Sequence, residues 1–235
     1  MRIIQNIVKR NPCYRAGKKI TVKGLLLHSV GCPQPKASVF INQWNLENPA
    51  TAVCPHAIID GLTGDTHQTL PWNHYGWHAG GAANATHIGV EMGEPACIKY
   101  TSGANFTCSN KAQAVAVVKR TYDSAVQLFA QLCTEYKLNP LADGVIISHA
   151  EGYKRKVASG HADPEHLWKG LGLPYTMDTF RQAVKKAMDD ASKAESAKVL
   201  YRVQVGAYSV KANAEAQLKE LKAAGFDGFI TTVKK

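Results

Sequence analysis

The sequence predicts an α/β protein in which helices flank a mixed central β-sheet, followed by a small C-terminal β-α-β unit. Two observations predict this class. Short apolar runs typical of buried strands alternate with longer segments of helical periodicity, and a polar stretch near residue 190 separates a second, smaller pattern. Of the 235 residues, 45% are hydrophobic and 20% charged, which is ordinary for a globular chain. No apolar run approaches the roughly 18 residues of a membrane span.

Short apolar segments bounded by glycine, proline or polar turn residues are predicted as the strands of the sheet. They are 24–30, 52–60, 87–92 and 144–148, with 66–70 expected to pair with 52–60 as a hairpin. Three segments have the three- and four-residue apolar spacing of helices: 36–46, 111–136 and 176–190. The longest follows Asn110, a residue type favoured at the N-cap. The segments 76–86 and 151–168 are predicted as loops.

Composition changes after residue 188 and indicates a domain boundary there. Residues 1–188 form the predicted main domain, and 189–198 (DDASKAESAK) are a linker or the frayed end of a helix. Within 199–235 we expect a strand to residue 208, a helix over 213–224 capped by Gly225, and a second strand over 229–233.

Basic residues outnumber acidic ones by 28 to 18, and the formal net charge of +10 favours a polyanionic partner. Residues 1–46 hold eight basic residues and no acid. This segment is either an ordinary solvated face or a docking surface for a polyanion such as an acidic wall polymer. No nucleic-acid partner is predicted, because the spacing of a helix-turn-helix, an RRM or a zinc finger is absent.

The N-terminus lacks the apolar core of a secretion signal, so we expect the chain to be made in the cytoplasm. None of the six cysteines forms a Cys-x-x-Cys pair. Reduced, buried thiols are the default expectation in that compartment. A disulfide between Cys97 and Cys108, formed after release from the cell, is the alternative.

Two histidines stand at the ends of predicted strands, His28 after 24–27 and His149 after 144–148. If those strands are neighbours, both imidazoles lie at the sheet edge where open α/β sheets bind ligands. Asp163 follows His149 by 14 residues, a length that lets a loop return to the same edge. Two imidazoles and a carboxylate form a ligand set for catalytic zinc, which keeps a fourth position for water. The alternative is that these are ordinary surface or hydrogen-bonded side chains.

Five segments occur in an order typical of one enzyme family. They are GLLLHSVG at 24–31, PHAIIDG at 55–61, WHAG at 77–80, HIGVEM at 87–92 and SHAEGYKRKVASGHADPEHLW at 148–168. Over residues 20–185 the chain resembles the type-2 zinc N-acetylmuramoyl-L-alanine amidases of clostridial autolysins and phage endolysins, which are related to peptidoglycan recognition proteins. The resemblance implies zinc-dependent hydrolysis of the amide bond between N-acetylmuramic acid and L-alanine in bacterial peptidoglycan.

The resemblance also implies roles for the matched residues. The family's zinc ligands fall on His28, His149 and Asp163, and its strand glutamate falls on Glu91, the expected proton acceptor. Two residues before the third ligand the family often has lysine, where this chain has His161. We expect His161 to stabilise the developing oxyanion, and its charge state is open because histidine titrates near neutral pH.

Trp77 and His78 are expected to line the substrate cleft, with simple packing inside their loop as the alternative. Two other functions stay open at this point: a non-catalytic peptidoglycan-binding protein, and a zinc peptidase that cuts within the stem peptide. A protein made without a signal would reach the wall by holin-dependent release or by non-classical export.

The C-terminal segment YRVQVGAY at 201–208, with the helix and strand after it, resembles the first half of a SPOR domain. Domains of that family bind glycan strands stripped of stem peptides. From Lys198 onward the chain carries seven basic residues and three acids. Half a domain leaves strand edges and an apolar helix face uncovered. We therefore expect either a homodimer in which two copies complete one sheet, or a remnant that packs on the main domain or moves freely.

Overall fold

Six strands form one mixed sheet in the larger of the two units into which the chain divides, Met1–Ser192 and Lys193–Lys235. The structure, a computed structural model, describes residues 2–50, 53–196 and 203–233. The strands are β1 (Ile3–Gln5), β2 (Gly24–Ser29), β3 (Ala57–Ile59), β4 (Thr66–Gln68), β5 (His87–Met92), β6 (Ile98–Ser102), β7 (Asn105–Cys108) and β8 (Ile146–Ser148). The helices are α1 (Pro12–Arg15), α2 (Ala37–Trp44), α3 (Lys111–Glu135), α4 (His149–Lys154), α5 (Glu165–Gly170), α6 (Met177–Ser196) and α7 (Lys211–Ala223).

The sheet has the strand order β1-β4-β3-β5-β2-β8, and β6 pairs with β7 as a separate hairpin. The central strand β2 is parallel to both β5 and β8, and every residue of β2 and β5 is buried. Burial on both faces explains why these strands are almost continuously apolar in the sequence. Parallel strands end at the same edge, so residues at the ends of β2, β5 and β8 come together there.

Helix α3 packs against one face of the sheet. Its N-cap Asn110 accepts a hydrogen bond from the Gln113 N–H at 3.0 Å. The core on this face includes Leu27, Phe129 and Phe180, all fully buried. A second apolar cluster lies around α2. The predicted mixed sheet, its hairpin of β3 and β4, and helices α2 and α3 are thereby confirmed.

The prediction of a loop over 151–168 is wrong, because α4 and α5 lie there. Helix α4 begins in a capping box, in which Ser148 and Glu151 each hydrogen-bond the other's backbone. Strand β3 occupies only three residues of the predicted 52–60, and Thr51 and Ala52 lie outside the described residues. A 3₁₀ turn interrupts the predicted loop 76–86. All six cysteines are free thiols.

Helix α6 continues to Ser196, so residues 189–196 are the end of a helix rather than an extended linker. The ion pairs of Lys185 with Asp189 and Lys186 with Asp190 span one helical turn each and support this extension. No helix among the described residues is long and apolar enough to cross a membrane.

The C-terminal unit contains the predicted helix, α7, followed by Gly225 with φ of +86°. The two predicted strands are corrected: no strand is present in the described segments 203–208 and 229–233. A strand requires a hydrogen-bonded neighbour, and these segments are instead open to solvent, with Val203 87% and Phe229 73% exposed. Residues 199–202 of the first predicted strand lie outside the described residues.

Candidate active site

The strand ends bring His28 and His149 together as the sequence predicted. His28 is the fifth residue of β2, and His149 is the first residue of α4, directly after β8. The capping box of Ser148 fixes the point at which α4 leaves the sheet. His28 Nδ1 lies 3.0 Å from His149 Nδ1, and both side chains are buried.

Asp163 returns to the same edge in the loop between α4 and α5. Its Oδ2 lies 3.3 Å from His28 Nδ1 and accepts a hydrogen bond from the Ser29 N–H at 3.2 Å, and its Oδ1 lies 3.5 Å from His149 Nδ1. Burial raises the pKa of Asp163, but hydrogen bonding to His28 and the charges of both histidines outweigh burial and bring the pKa below its usual value. The carboxyl group is therefore an anion at neutral pH.

These three side chains fit a zinc ion. Their ligand atoms all lie within 4.8 Å of one another. Ligand atoms around a tetrahedral zinc, with bonds of about 2.0–2.2 Å, are separated by roughly 3.3–3.6 Å. Among the described residues, no lysine or arginine forms an ion pair with Asp163 that would compete for its carboxylate.

Glu91 lies beside this cluster on β5, paired in register with His28 of β2. Its side chain is buried, and its Oε2 has no hydrogen-bond partner among the described residues. Burial is the largest influence and raises the pKa of Glu91 to about 7, with His28 opposing and Asp163 and Glu94 adding to the rise. A carboxyl group with a pKa near 7 can both accept and donate a proton at neutral pH.

His161 lies on the solvent side of the cluster. Its side chain is exposed, and its Nδ1 lies 3.2 Å from His149 Nε2 and 3.1 Å from Ser159 Oγ. The structure thus brings together Glu91, His161 and the three candidate ligands at one sheet edge.

The expectation that His78 lines the substrate cleft is corrected. Its ring is buried beneath His28, with Nδ1 3.0 Å from His28 Nε2 and Nε2 3.1 Å from the His87 carbonyl oxygen. Both ring nitrogens are therefore used inside the protein. Trp77 is half-buried and packs on the apolar cluster around α2, so its contact with substrate stays a prediction.

A second network, which is partly buried and which the sequence did not indicate, joins Glu94, Tyr100 and His166. The Tyr100 hydroxyl donates to Glu94 Oε2 at 2.7 Å and lies 2.6 Å from His166 Nε2. Glu94 Oε1 accepts from the Gly31 N–H at 2.9 Å. Burial, the largest influence, raises the pKa of Glu94 to about 7. These residues come from separate parts of the chain, and no periodicity or spacing in the sequence connects them.

Comparison with known proteins now identifies the family. The family model described as N-acetylmuramoyl-L-alanine amidase matches residues 18–166, well over half of the chain. The chain belongs to the N-acetylmuramoyl-L-alanine amidase family. A second model, of the SPOR domain, matches residues 177–232, from the start of α6. Comparison with curated proteins finds no match.

Several solved structures share the fold of this amidase. The hydrolase AmiA of Staphylococcus aureus, in complex with its ligand, has a TM-score of 0.61 at 18% identity, over 82% of this chain and 86% of that one. The PlyG catalytic domain has a TM-score of 0.53 at 17% identity, over 80% and 96%. A mutant endolysin from Bacillus subtilis has a TM-score of 0.51 at 21% identity, over 78% and 99%. At these identities the likeness concerns the fold.

Family membership gives the enzyme class of this chain. It is a hydrolase of the amide bond between N-acetylmuramic acid and L-alanine, its substrate is bacterial peptidoglycan, and it acts at the cell wall. The SPOR match adds wall binding by the C-terminal region.

Proposed function

We propose that this amidase cleaves peptidoglycan with a zinc ion held by His28, His149 and Asp163. The observation that carries the proposal is the convergence of these three ligand atoms within 4.8 Å, beside the buried carboxyl of Glu91. When bound, zinc supplies Lewis acidity, which lowers the pKa of water and polarises a carbonyl group. Every other part of the reaction falls to the side chains of the protein.

Glu91 accepts a proton from the attacking water and later donates it to the departing alanine nitrogen. The water oxygen bonds to the lactyl carbonyl carbon, and the carbon–nitrogen bond breaks to leave a carboxylate and a free amine. The Oε2 atom of Glu91 has no hydrogen-bond partner among the described residues, so it is open to accept the proton and to return it. A buried carboxyl that already had strong partners would accept the proton poorly.

His161 donates a hydrogen bond to the carbonyl oxygen as negative charge develops there. Its exposed ring, next to His149, is open to a substrate approaching the sheet edge from solvent. Loss of one such donor typically lowers the rate about 10²–10³-fold. Trp77, on the loop beside the site, is proposed to pack on a sugar ring or on the stem peptide.

Two further contacts with the wall are proposed outside the catalytic site. Six exposed basic residues among residues 2–36 form no ion pair with an acid among the described residues, which suits binding to anionic wall polymers. They are Lys9, Arg15, Lys18, Lys19, Lys23 and Lys36.

The C-terminal unit binds glycan, and its exposed apolar side chains are proposed to pair two copies of the chain into a homodimer.

Mass spectrometry of peptidoglycan digested by the purified protein tests the proposed function. We expect stem peptides that carry a new L-alanine N-terminus, and no such products after treatment with a chelator until zinc is added back. Cuts inside the stem peptide would instead identify a peptidase. Binding without release of products would identify a receptor, and full activity in verified metal-free protein would contradict the role of zinc.

A further inference from the structure

We propose that His78 is a positioning residue that fixes the ring tautomer of His28 and so directs a nitrogen lone pair of His28 to the metal site. This inference rests on the proposed zinc site. It assigns a new role to the loop Trp77-His78-Ala79-Gly80, whose histidine lies beneath the candidate ligands rather than among them.

The carbonyl group of His87 determines the direction of both hydrogen bonds that the ring of His78 forms, one with His87 and one with His28. The His87 carbonyl oxygen, 3.1 Å from His78 Nε2, can only accept, so His78 Nε2 carries the proton. The ring of His78 is buried and no acid among the described residues forms an ion pair with it, so nothing nearby would compensate a positive charge and the ring is neutral. The neutral ring therefore has a bare Nδ1. That atom lies 3.0 Å from His28 Nε2, which must be its donor.

The position of the proton on His28 decides which of its ring nitrogens offers a lone pair to the metal site. With the proton of His28 on Nε2, the lone pair of a neutral His28 is on Nδ1. That is the nitrogen that lies 3.3 Å from Asp163 Oδ2 and 3.0 Å from His149 Nδ1. The opposite tautomer would place a proton in the middle of the ligand set and exclude a cation.

The surrounding structure holds His78 in this position. A Cβ atom at Gly89 would lie 2.3 Å from His78 Cγ, so the strand β5 can pass the ring only because residue 89 is glycine. On the other side, the buried amide oxygen of Asn84 accepts from the backbone N–H groups of His78 and Ala79, at 3.0 and 2.8 Å. The loop and the ring are thus fixed separately.

Two substitutions separate the roles of the two ring nitrogens. His78→Asn places an amide oxygen near the position of Nδ1 and keeps the acceptor for His28. His78→Gln places an amide nitrogen near the position of Nε2 and keeps only the bond to His87. His56→Asn is the matched control, because His56 is equally buried, accepts from the Gly89 N–H at 3.0 Å and makes no bond to His28.

The measurement is the zinc dissociation constant of each full-length protein, from competition with a chromophoric chelator, together with ¹⁵N spectra of the histidine rings in the zinc-loaded proteins. We expect wild type, His78→Asn and His56→Asn to bind zinc alike and to show a slowly exchanging Nε2–H on His28. We expect His78→Gln to bind zinc about 10–100-fold more weakly and to lose that signal.

A folded His78→Gln protein that binds zinc as tightly as wild type would overturn the proposal. An equal loss of zinc affinity in His78→Gln and His56→Asn would also overturn it, because it would indicate general damage to the core. If His78→Gln does not fold, a weakened zinc affinity in His78→Asn overturns the proposal, and wild-type affinity supports it. A wild-type protein that binds no zinc at all would contradict the proposed function instead, so the two failures are distinguishable.

Discussion

At the scale of single residues, the site contains two buried carboxyl groups whose pKa values are shifted in opposite directions. Contact with His28 lowers the pKa of Asp163 despite its burial, whereas burial raises the pKa of Glu91 to about 7. A carboxyl that stays ionised suits a metal ligand, and one that exchanges its proton near neutral pH suits a general base. When the surroundings of two carboxyl groups shift their pKa values apart in this way, the shifts indicate which chemical role each group has.

Glu91→Gln tests the general base directly. Glutamine fills the same space but cannot accept the proton of water, so we expect kcat to fall about 10²–10⁴-fold while zinc content and fold are kept. Steady-state hydrolysis of a soluble muropeptide and metal analysis of the same sample provide the measurement. A kcat close to that of wild type would remove Glu91 from the mechanism.

The same variant gives a prediction for stability. The pKa of Glu91 is about 7 in the folded protein and about 4.5 in an unfolded chain, so the folded state binds the proton more tightly. The unfolding free energy of the metal-free protein therefore falls as pH rises from 4.5 to 7, where the buried carboxyl becomes charged. Glu91→Gln removes this loss.

We expect the variant to gain up to about 3 kcal/mol relative to wild type between pH 4.5 and pH 8, measured by urea unfolding in the presence of a chelator. Glu94 and Glu165, whose pKa values burial also raises to about 7, are present in both proteins, so only the part of their contribution that depends on the charge of Glu91 differs. A difference that stays constant with pH would show that Glu91 is already ionised in acid.

At the scale of elements, side chains connect the hairpin of β6 and β7 to the site, among them the hydroxyl group of Tyr100 and the ring of Phe106. Tyr100 of β6 connects Glu94, which follows β5, with His166 of α5. Glu94 in turn holds the Gly31 N–H just after β2, the strand that carries His28. The hairpin is thus connected directly to α5, and through Glu94 to the residue after β2, by side chains rather than by strand pairing.

Tyr100→Phe should lower the unfolding free energy by about 1–3 kcal/mol, because a carboxyl oxygen and a ring nitrogen lose their shared partner while buried. Tyr153→Phe is the control, since Tyr153 is 59% exposed and its hydroxyl forms no hydrogen bond with any other described residue. Urea midpoints of the two variants give the comparison. Equal midpoints would mean that the hydroxyl of Tyr100 contributes nothing.

Elements with long regular patterns were predictable from the sequence, and elements held by distant partners were not. Strands β2 and β5 and helix α3 bury continuous or periodic apolar residues, and each carries its own signal. Strand β1 is three residues long and exists through its pairing with β4, with Ile3 opposite Thr66. The approach of His28 and His149 was predictable because the ends of parallel strands meet, while the burial of His78 depends on the fold of its loop and on the small size of Gly89.

At the scale of the whole molecule, the two units differ in how they are stabilised. The larger unit buries a continuous core of aliphatic and aromatic side chains. Helix α7 of the smaller unit has no buried residue, and exposed apolar side chains surround it, including Val205, Phe226 and Phe229. We propose that a partner covers these exposed apolar side chains, either glycan or a second copy of the chain.

Truncation after Ser196 separates these two partners, because it keeps α6 whole and removes α7 with the segments around it. If the tail binds glycan, sedimentation with purified cell-wall sacculi should fall, while hydrolysis of a soluble muropeptide by the catalytic unit stays unchanged. Light scattering on the same two proteins reports the dimer. A full-length dimer beside a truncated monomer places the pairing surface in the tail, whereas two monomers at tens of micromolar leave glycan as its partner. Equal sedimentation of both proteins would show that the catalytic unit binds the wall. The exposed basic residues among 2–36 would then be the next residues to replace with neutral ones.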